Sequence, residues 1–328
     1  VSKTADLIAQ LRAGLGADLK LLRDEPLAAH TRFGIGGPAE VLVIAKDTPS
    51  FTRALTLARA SGVPWVVIGG GSNLIVSDAG FRGVVLQYAA DKIVFDAGGL
   101  VIADAGTVLQ HLVDSTIAAG LKGLETMTGI PGWVGAAVYG NAGAYGHSIS
   151  ERIAQVRFFD GEAVRAFDRA ACEFHYRESI FKREKDWIIL DCSLQLEGAD
   201  AMQLKVTADE ILRIRNEKYP PSMKCAGSIF KNYLFAELPP RVQSLIPERV
   251  VREGKVPSAW FLEQTGAKGL RKGDIQVASY HANLIYNDGA GTARDLVEVI
   301  GELKRRIGDR FGIPLEEEVQ YVGDFAAV

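Results

Sequence analysis

The period of the apolar positions changes several times along this chain, and each change predicts an element. Residues 40–45 are apolar and β-branched and predict a strand; residues 49–60 carry Phe51, Leu55 and Ala58 at helical spacing; residues 64–68 return to a strand pattern. Thr48 stands where a helix cap is expected and Pro49 at the first helical position. The result is a β-α-β unit ending in glycines. From 80 to 106 short strands alternate with turns (83–88, the turn Asp96-Ala97-Gly98-Gly99, then 100–105), and 107–121 has helical spacing again. Strand patterns resume at 155–159 and 187–196, separated by a charge-rich stretch. Thr207 and Glu210 have capping-box spacing and predict a helix over 208–217 that stops before Pro220-Pro221, the best candidate domain boundary. Beyond it come a turn at Gly227-Ser228, an irregular stretch over 233–257, a strand at 282–286 and a final helix opening near Thr292. That helix places Leu296, Ile300, Leu303 and Ile307 on one face and ends at Gly312.

Composition narrows the function classes. At 328 residues, two or three domains are expected. A net charge of −3, from 37 basic and 40 acidic side chains, creates no general attraction to nucleic acid or to an anionic membrane, so the partner is sought in a pocket. Three widely spaced cysteines, Cys172, Cys192 and Cys225, read as core hydrophobes in a reducing compartment rather than as a disulfide framework. No apolar run reaches the roughly 20 residues of a membrane span, and the first residues do not read as a signal peptide; the cytoplasm is the expected location. No H-E-x-x-H, C-x-x-C or paired-aspartate pattern occurs, so no metal is expected.

Two glycine-rich tracts carry the candidate chemistry. The first is Gly69-Gly70-Gly71-Ser72-Asn73-Leu74, at the end of a predicted buried strand. Consecutive glycines let the backbone turn its N–H groups toward an anion, and Ser72 and Asn73 add side-chain donors, so a pyrophosphate cradle is one reading and a plain connection the other. The order matches neither a Walker A loop nor a G-x-G-x-x-G fingerprint. The second is Gly129-Ile130-Pro131-Gly132-Trp133-Val134-Gly135-Ala136-Ala137-Val138-Tyr139-Gly140-Asn141-Ala142-Gly143-Ala144-Tyr145-Gly146. Small residues at nearly every other position weaken packing, and close approach of a large flat ligand is a sufficient reason for them.

These two tracts, together with His30-Thr31-Arg32-Phe33-Gly34-Ile35-Gly36-Gly37-Pro38-Ala39 before them, resemble the successive FAD-contacting motifs of UDP-N-acetylenolpyruvoylglucosamine reductases. Tyr176-Arg177-Glu178-Ser179, Gly227-Ser228-Ile229-Phe230-Lys231-Asn232 and Leu315-Glu316-Glu317-Glu318-Val319 also match, and the resemblance runs from about His30 to Gly323. It implies an α+β fold in three domains: two forming a vanillyl-alcohol-oxidase/PCMH-type FAD module, residues 1–79 joined by a C-terminal strand within 316–328 and residues 80–217, and a substrate domain over 218–315. It also implies non-covalent FAD, NADPH as reductant, and reduction of an enolpyruvyl ether of a UDP-sugar to a lactyl ether for peptidoglycan precursor synthesis.

The implied roles fall on particular residues. Ser228 matches the proton donor, and Arg177 and Glu318 match the pair at the substrate carboxylate. Lys218 and Asn232 match substrate-binding positions, with Lys231 a further candidate. Cofactor contacts are carried to Gly69, Gly70, Gly71, Ser72, Asn73, Gly129, Ile130, Pro131, Gly132, Gly135, Ala136, Asn141, Ala142, Gly143 and Ala144. Each has an ordinary alternative: a turn serine, an arginine paired with Glu178, a solvated run Glu316-Glu317-Glu318. His281, in Tyr280-His281-Ala282-Asn283, reads as structural. The short distance from Arg177 to Lys218 implies the subtype without an inserted substrate-covering loop, and a monomer is favoured. The chain departs from the family pattern at Trp133, Ala136, Tyr233 and in the length of 233–257. Two other readings remain: a flavin oxidase of the same wider fold, for which His147 is the nearest candidate attachment residue, and a flavin-free UDP-sugar-binding protein.

Overall fold

The computed structural model describes residues 3–13 and 19–325. They divide into two compact units: Val1–Glu25, Ala39–Gly71 and Arg82–Pro220 form the first, and Pro26–Pro38, Ser72–Phe81 and Pro221–Val328 the second. The division thus falls between the two prolines, where neither residue can donate a backbone hydrogen bond to continue an element.

The first unit holds a four-stranded sheet in the order Leu19–Pro26, Pro38–Ala45, Phe81–Tyr88, Trp65–Ile68. Helix Thr48–Ser61 joins the second of these strands to the last and buries Phe51, Ala54, Leu55 and Ala58. Its cap differs from expectation. Asp47, not Thr48, closes the N-terminus by accepting from Ser50 N–H at 2.8 Å, because a carboxylate both fits the orphan donors and answers the helix dipole. The Thr48 hydroxyl bonds the Tyr88 hydroxyl instead, at 2.9 Å. A second, antiparallel sheet runs Val164–Asp168, Ile153–Phe159, Ile188–Gln195, Leu100–Asp104, Ile93–Phe95. Helix Leu109–Ala118 buries Leu109, Leu112, Val113 and Ile117, and one continuous core takes in both sheets and their helices.

The helix expected over 208–217 spans Ala201–Lys218, capped by Asp200 accepting from Gln203 N–H at 2.8 Å. Thr207 lies inside it, its hydroxyl donating to the Gln203 carbonyl at 3.1 Å. The capping-box spacing is therefore accidental.

In the second unit the sheet order is Lys224–Ser228, Leu284–Asn287, Ile275–Val277, Arg271–Lys272, all antiparallel. Helix Ala293–Phe311 packs on it through Leu296, Val299, Ile300, Leu303 and Ile307. The expected cap Thr292 accepts from Asp295 N–H, and Gly312 ends the helix in the left-handed conformation at φ 64°. Asp78 adds a second cap, accepting from Ala293 N–H at 2.8 Å and Arg294 N–H at 3.0 Å. The stretch 233–257 is closed at its base by the antiparallel pair Tyr233–Leu234 and Lys255–Val256. Tyr233 packs edge-on against Phe261, 4.9 Å between centroids, and donates its hydroxyl to the Pro314 carbonyl at 2.8 Å. A short parallel pair joins Leu74–Val76 to Gln320–Val322. No helix among the described residues is long and apolar enough to cross a membrane.

Candidate active site

In the first unit the two glycine-rich tracts meet. Strand Trp65–Ile68 pairs in parallel with Phe81–Tyr88 and runs out at Gly69, whose carbonyl accepts from the buried Gln87 amide at 2.9 Å. A Cβ added at Gly69 would lie 3.8 Å from Ala136 Cβ, and one added at Gly70 would lie 2.8 Å from Trp133 Nε1. The indole therefore covers the space that a side chain at residue 70 would need. Within the second tract residues 134–139 form a short helix, Val134–Tyr139, which periodicity does not reveal because glycine and alanine carry no apolar stripe. Gly143–Ala144 pairs with His147–Ser148, and Gly143 is pressed so close to the His147 carbonyl that a Cβ would stand 2.5 Å from it.

Asn141, expected among the cofactor contacts, has φ 42° and donates its amide to the His175 carbonyl at 2.8 Å. That bond fixes the turn bearing Arg177. Arg177 itself has φ 58°, a region uncommon for a residue with a long side chain. Its guanidinium donates to the Gly143 carbonyl at 3.3 Å and stands 5.6 Å from the Tyr176 ring centre, while its carbonyl accepts from Lys182 at 2.9 Å. Lys182 also pairs with Glu178 at 3.0 Å, which gives Glu178 a cation of its own. Residues 177–218 form the short helix Ile180–Arg183, strands Ile188–Gln195 and Glu197–Gly198, and helix Ala201–Lys218, leaving no room in the sequence for an inserted loop. Lys218 ends that last helix with its ammonium 4.9 Å from the Tyr219 ring centre.

The residues of this unit fit a flavin nucleotide. The hydroxyls of Thr107, Thr126 and Thr128 are buried without a hydrogen-bond partner in the protein, and they surround the start of the second tract: Thr128 precedes Gly129, Thr126 lies one turn before it, and the Thr107 carbonyl accepts from Val134 N–H. Leaving a buried hydroxyl unmet costs about 1–3 kcal/mol, so three together mark the start of the second tract as a place the protein's own groups leave unsatisfied.

In the second unit the motif 227–232 runs beside 316–318. Gly227, at φ 80°, turns the chain into Ser228, which pairs with Leu284. Glu318 N–H donates to the Ile229 carbonyl at 2.7 Å, and Lys231 N–H donates to the Glu316 carbonyl at 2.9 Å. The Asn73 amide donates to the Glu318 carbonyl at 2.8 Å, and Gln320 N–H donates to the Asn73 carbonyl at 2.9 Å. Ile229, Lys231, Glu316, Glu318, Asn73 and Gln320 thus belong to one hydrogen-bonded patch, with Ser228 and Asn232 each one residue outside it along the chain. The run Glu316-Glu317-Glu318 is not simply solvated: Glu316 pairs with Lys231 at 2.5 Å and Glu317 with Lys304 at 3.0 Å. Asn232 Oδ1 accepts from Ser258 N–H at 3.2 Å, at the start of helix Ser258–Gln264. His281 Nδ1 accepts from Asn283 N–H at 3.2 Å, a structural bond. Sequence reasoning missed Asn283 and Ser258. The one available signal was an amide set between apolar residues in Ala282-Asn283-Leu284-Ile285. No group of three or more metal-binding side chains occurs among the described residues.

Known proteins extend this picture. Residues 219–322 match the family model described as UDP-N-acetylenolpyruvoylglucosamine reductase, C-terminal domain, and residues 39–165 match the FAD binding domain. The UDP-N-acetylenolpyruvoylglucosamine reductase of Solibacter usitatus is 62% identical over 93% of this chain and 98% of its own length. That of Bacillus subtilis is 35% identical over 93% and 94%. The crystal structure of the reductase from Thermus caldophilus superposes with a TM-score of 0.71 at 30% identity, covering 93% of this chain and 98% of that one. With both glycine tracts, the unmet hydroxyls and these relatives in agreement, the chain belongs to the UDP-N-acetylenolpyruvoylglucosamine reductase family, FAD-dependent oxidoreductases of peptidoglycan precursor synthesis.

Proposed function

We propose that this chain reduces the enolpyruvyl ether of UDP-N-acetylglucosamine to UDP-N-acetylmuramate with NADPH as the electron source, and that Ser228 protonates the product carbon. FAD, held by the residues of the two glycine tracts, would supply the hydride-transfer chemistry that links NADPH to the enol-ether double bond. Arg177 grips the substrate carboxylate and offsets the negative charge that builds up next to it during reduction. Glu318, matched to the family's acid at that carboxylate, acts as a neutral acid or by polarising a donor; a bare second anion would oppose the reaction. Ser228 gives its hydroxyl proton to the carbanionic carbon, a transfer that a weak acid makes only to a strong base kept away from water. Lys218 and Asn232 bind the nucleotide end of the substrate. The residues 69–73, 129–132, 135, 136 and 141–144 line the cofactor.

The observation that carries this reading is the backbone bond from Glu318 to Ile229, which joins the residue matched to the acid to the segment that begins at Ser228. The strained backbone of Arg177, secured by Lys182 and Asn141, adds support, since such conformations persist where function needs them. We further infer a monomer in the cytoplasm with three functional regions: 1–79 with 316–328, 80–217, and 218–315. The test is Ser228→Ala followed by stopped-flow absorbance of the flavin. Reduction by NADPH persists, while reoxidation by the enolpyruvyl UDP-sugar slows by about 10²–10⁴-fold, the usual worth of a positioned acid. Reoxidation at the wild-type rate would remove Ser228 from its role.

A further inference from the structure

Past Ser228 the strand Lys224–Ser228 loses its regular partner: the ladder with Leu284–Asn287 already slips between Cys225 and Ser228 and ends there. The next residues keep a neighbour of a different kind. Asn283 Oδ1 accepts from Phe230 N–H at 2.9 Å, and Asn283 Nδ2 donates back to the Phe230 carbonyl at 2.9 Å. The same Nδ2 donates to the Ser258 hydroxyl at 2.7 Å, and the Asn283 backbone carbonyl accepts from Ile229 N–H at 3.1 Å. A carboxamide has the donor and acceptor layout of a peptide group, so this side chain stands in for one residue of a missing strand. On the other side of the segment lie the bonds to Glu316 and Glu318. Ser258 continues the linkage, its hydroxyl donating to the Phe230 carbonyl at 3.4 Å and its N–H to Asn232 Oδ1. Asn283 is 2% exposed and Ser258 fully buried, so no water competes for these bonds.

We infer that Asn283 is a positioning residue for the reaction: its amide fixes the segment that follows Ser228, and with it the aim of the Ser228 hydroxyl. The inference rests on the reading of Ser228 as proton donor and says what holds that donor on target. A core amide that only stabilised the fold would affect every property of the enzyme alike. A positioning amide affects the step in which the donor is used.

The test uses FAD-loaded enzyme. Asn283→Asp keeps the shape and the acceptor for Phe230 N–H but replaces the donor with an oxygen facing the Phe230 carbonyl. Reoxidation by the enolpyruvyl UDP-sugar is expected to slow about 10- to 100-fold, the scale of a misplacement near 1 Å, while flavin reduction by NADPH changes less than about threefold. Amide exchange at residues 229–231, read by mass spectrometry, quickens. Ser258→Ala, a gentler change that removes only the hydroxyl, is expected to slow the same step about threefold. It decides the matter if Asn283→Asp does not fold. In the double variant Asn283→Asp/Ser228→Ala the two effects do not add: the first change costs less than about twofold on the second's background. Wild-type reoxidation and exchange in Asn283→Asp, or in Ser258→Ala where only that variant folds, would overturn the inference, as would a full-sized effect of Asn283→Asp in the Ser228→Ala background. Failure of the proton-donor reading is visible separately, as unimpaired reoxidation in Ser228→Ala alone.

Discussion

Replacing Gly70 by alanine puts the meeting of the two glycine tracts to a quantitative test. The added Cβ would stand 2.8 Å from Trp133 Nε1, 2.9 Å from Cδ1 and 3.3 Å from Cε2, so the indole must retreat by several tenths of an ångström. Trp133 stands just before the short helix Val134–Tyr139, whose first turn is held by the Thr107 and Ala105 carbonyls, so a shift of the ring loads the whole tract. Overpacking of this kind costs about 1–3 kcal/mol. If that cost falls on the arrangement the cofactor requires, FAD affinity drops by about 5- to 150-fold, at a factor of ten per 1.4 kcal/mol. Fluorescence titration of deflavinated protein with FAD measures it. The partner variant Trp133→Ala removes the obstacle, and in that background Gly70→Ala is expected to cost less than about 0.5 kcal/mol. Undiminished FAD affinity in Gly70→Ala, or a loss that Trp133→Ala does not relieve, refutes the steric argument.

Two further outcomes concern stability. Asp47→Ala deletes the cap of helix Thr48–Ser61 and is expected to destabilise the protein by about 0.5–2 kcal/mol, seen as a lower thermal midpoint, whereas Thr48→Ala removes a bond to Tyr88 and leaves the cap intact. Burial pushes the Cys172 thiol up to about 12, and the fully buried Cys192 higher still. Below about pH 9 both states of the chain keep these protons and the full stability is present; above it the unfolded chain releases them first, so stability falls by up to about 1.4 kcal/mol per thiol per pH unit until the folded value is reached. Denaturant midpoints between pH 8 and pH 10.5 check the sign, and both thiols stay unreactive to a thiol reagent at pH 8 until the protein unfolds.

Local chemistry made some of this legible in the sequence. The last helix carries a strict apolar stripe with a threonine cap and a terminal glycine, and its limits follow from those residues alone. Helix Ala201–Lys218 hides its start because Met202, Leu204 and Val206 alternate with polar residues as a strand would, although only Leu204 of the three is buried, and Thr207-Glu210 imitates a beginning that Asp200 provides. The glycine tracts are readable as a ligand cradle, but not that Trp133 lies across Gly70, since that contact is between residues far apart in the chain. The same limit applies at Ser228. Its motif is recognisable, while the amide that steadies the following residues comes from position 283 and leaves only an isolated buried asparagine as a trace.

The bond from the Asn73 amide to the Glu318 carbonyl closes a span of 245 residues. Strand Leu74–Val76 has its hydrogen-bonded neighbour in Gln320–Val322, so the residues that follow the first glycine turn gain this partner only once the chain has been made as far as residue 322. Until the residues after the final helix have been made, strand Leu74–Val76 therefore keeps an open edge, the kind of exposed backbone that can pair with another chain.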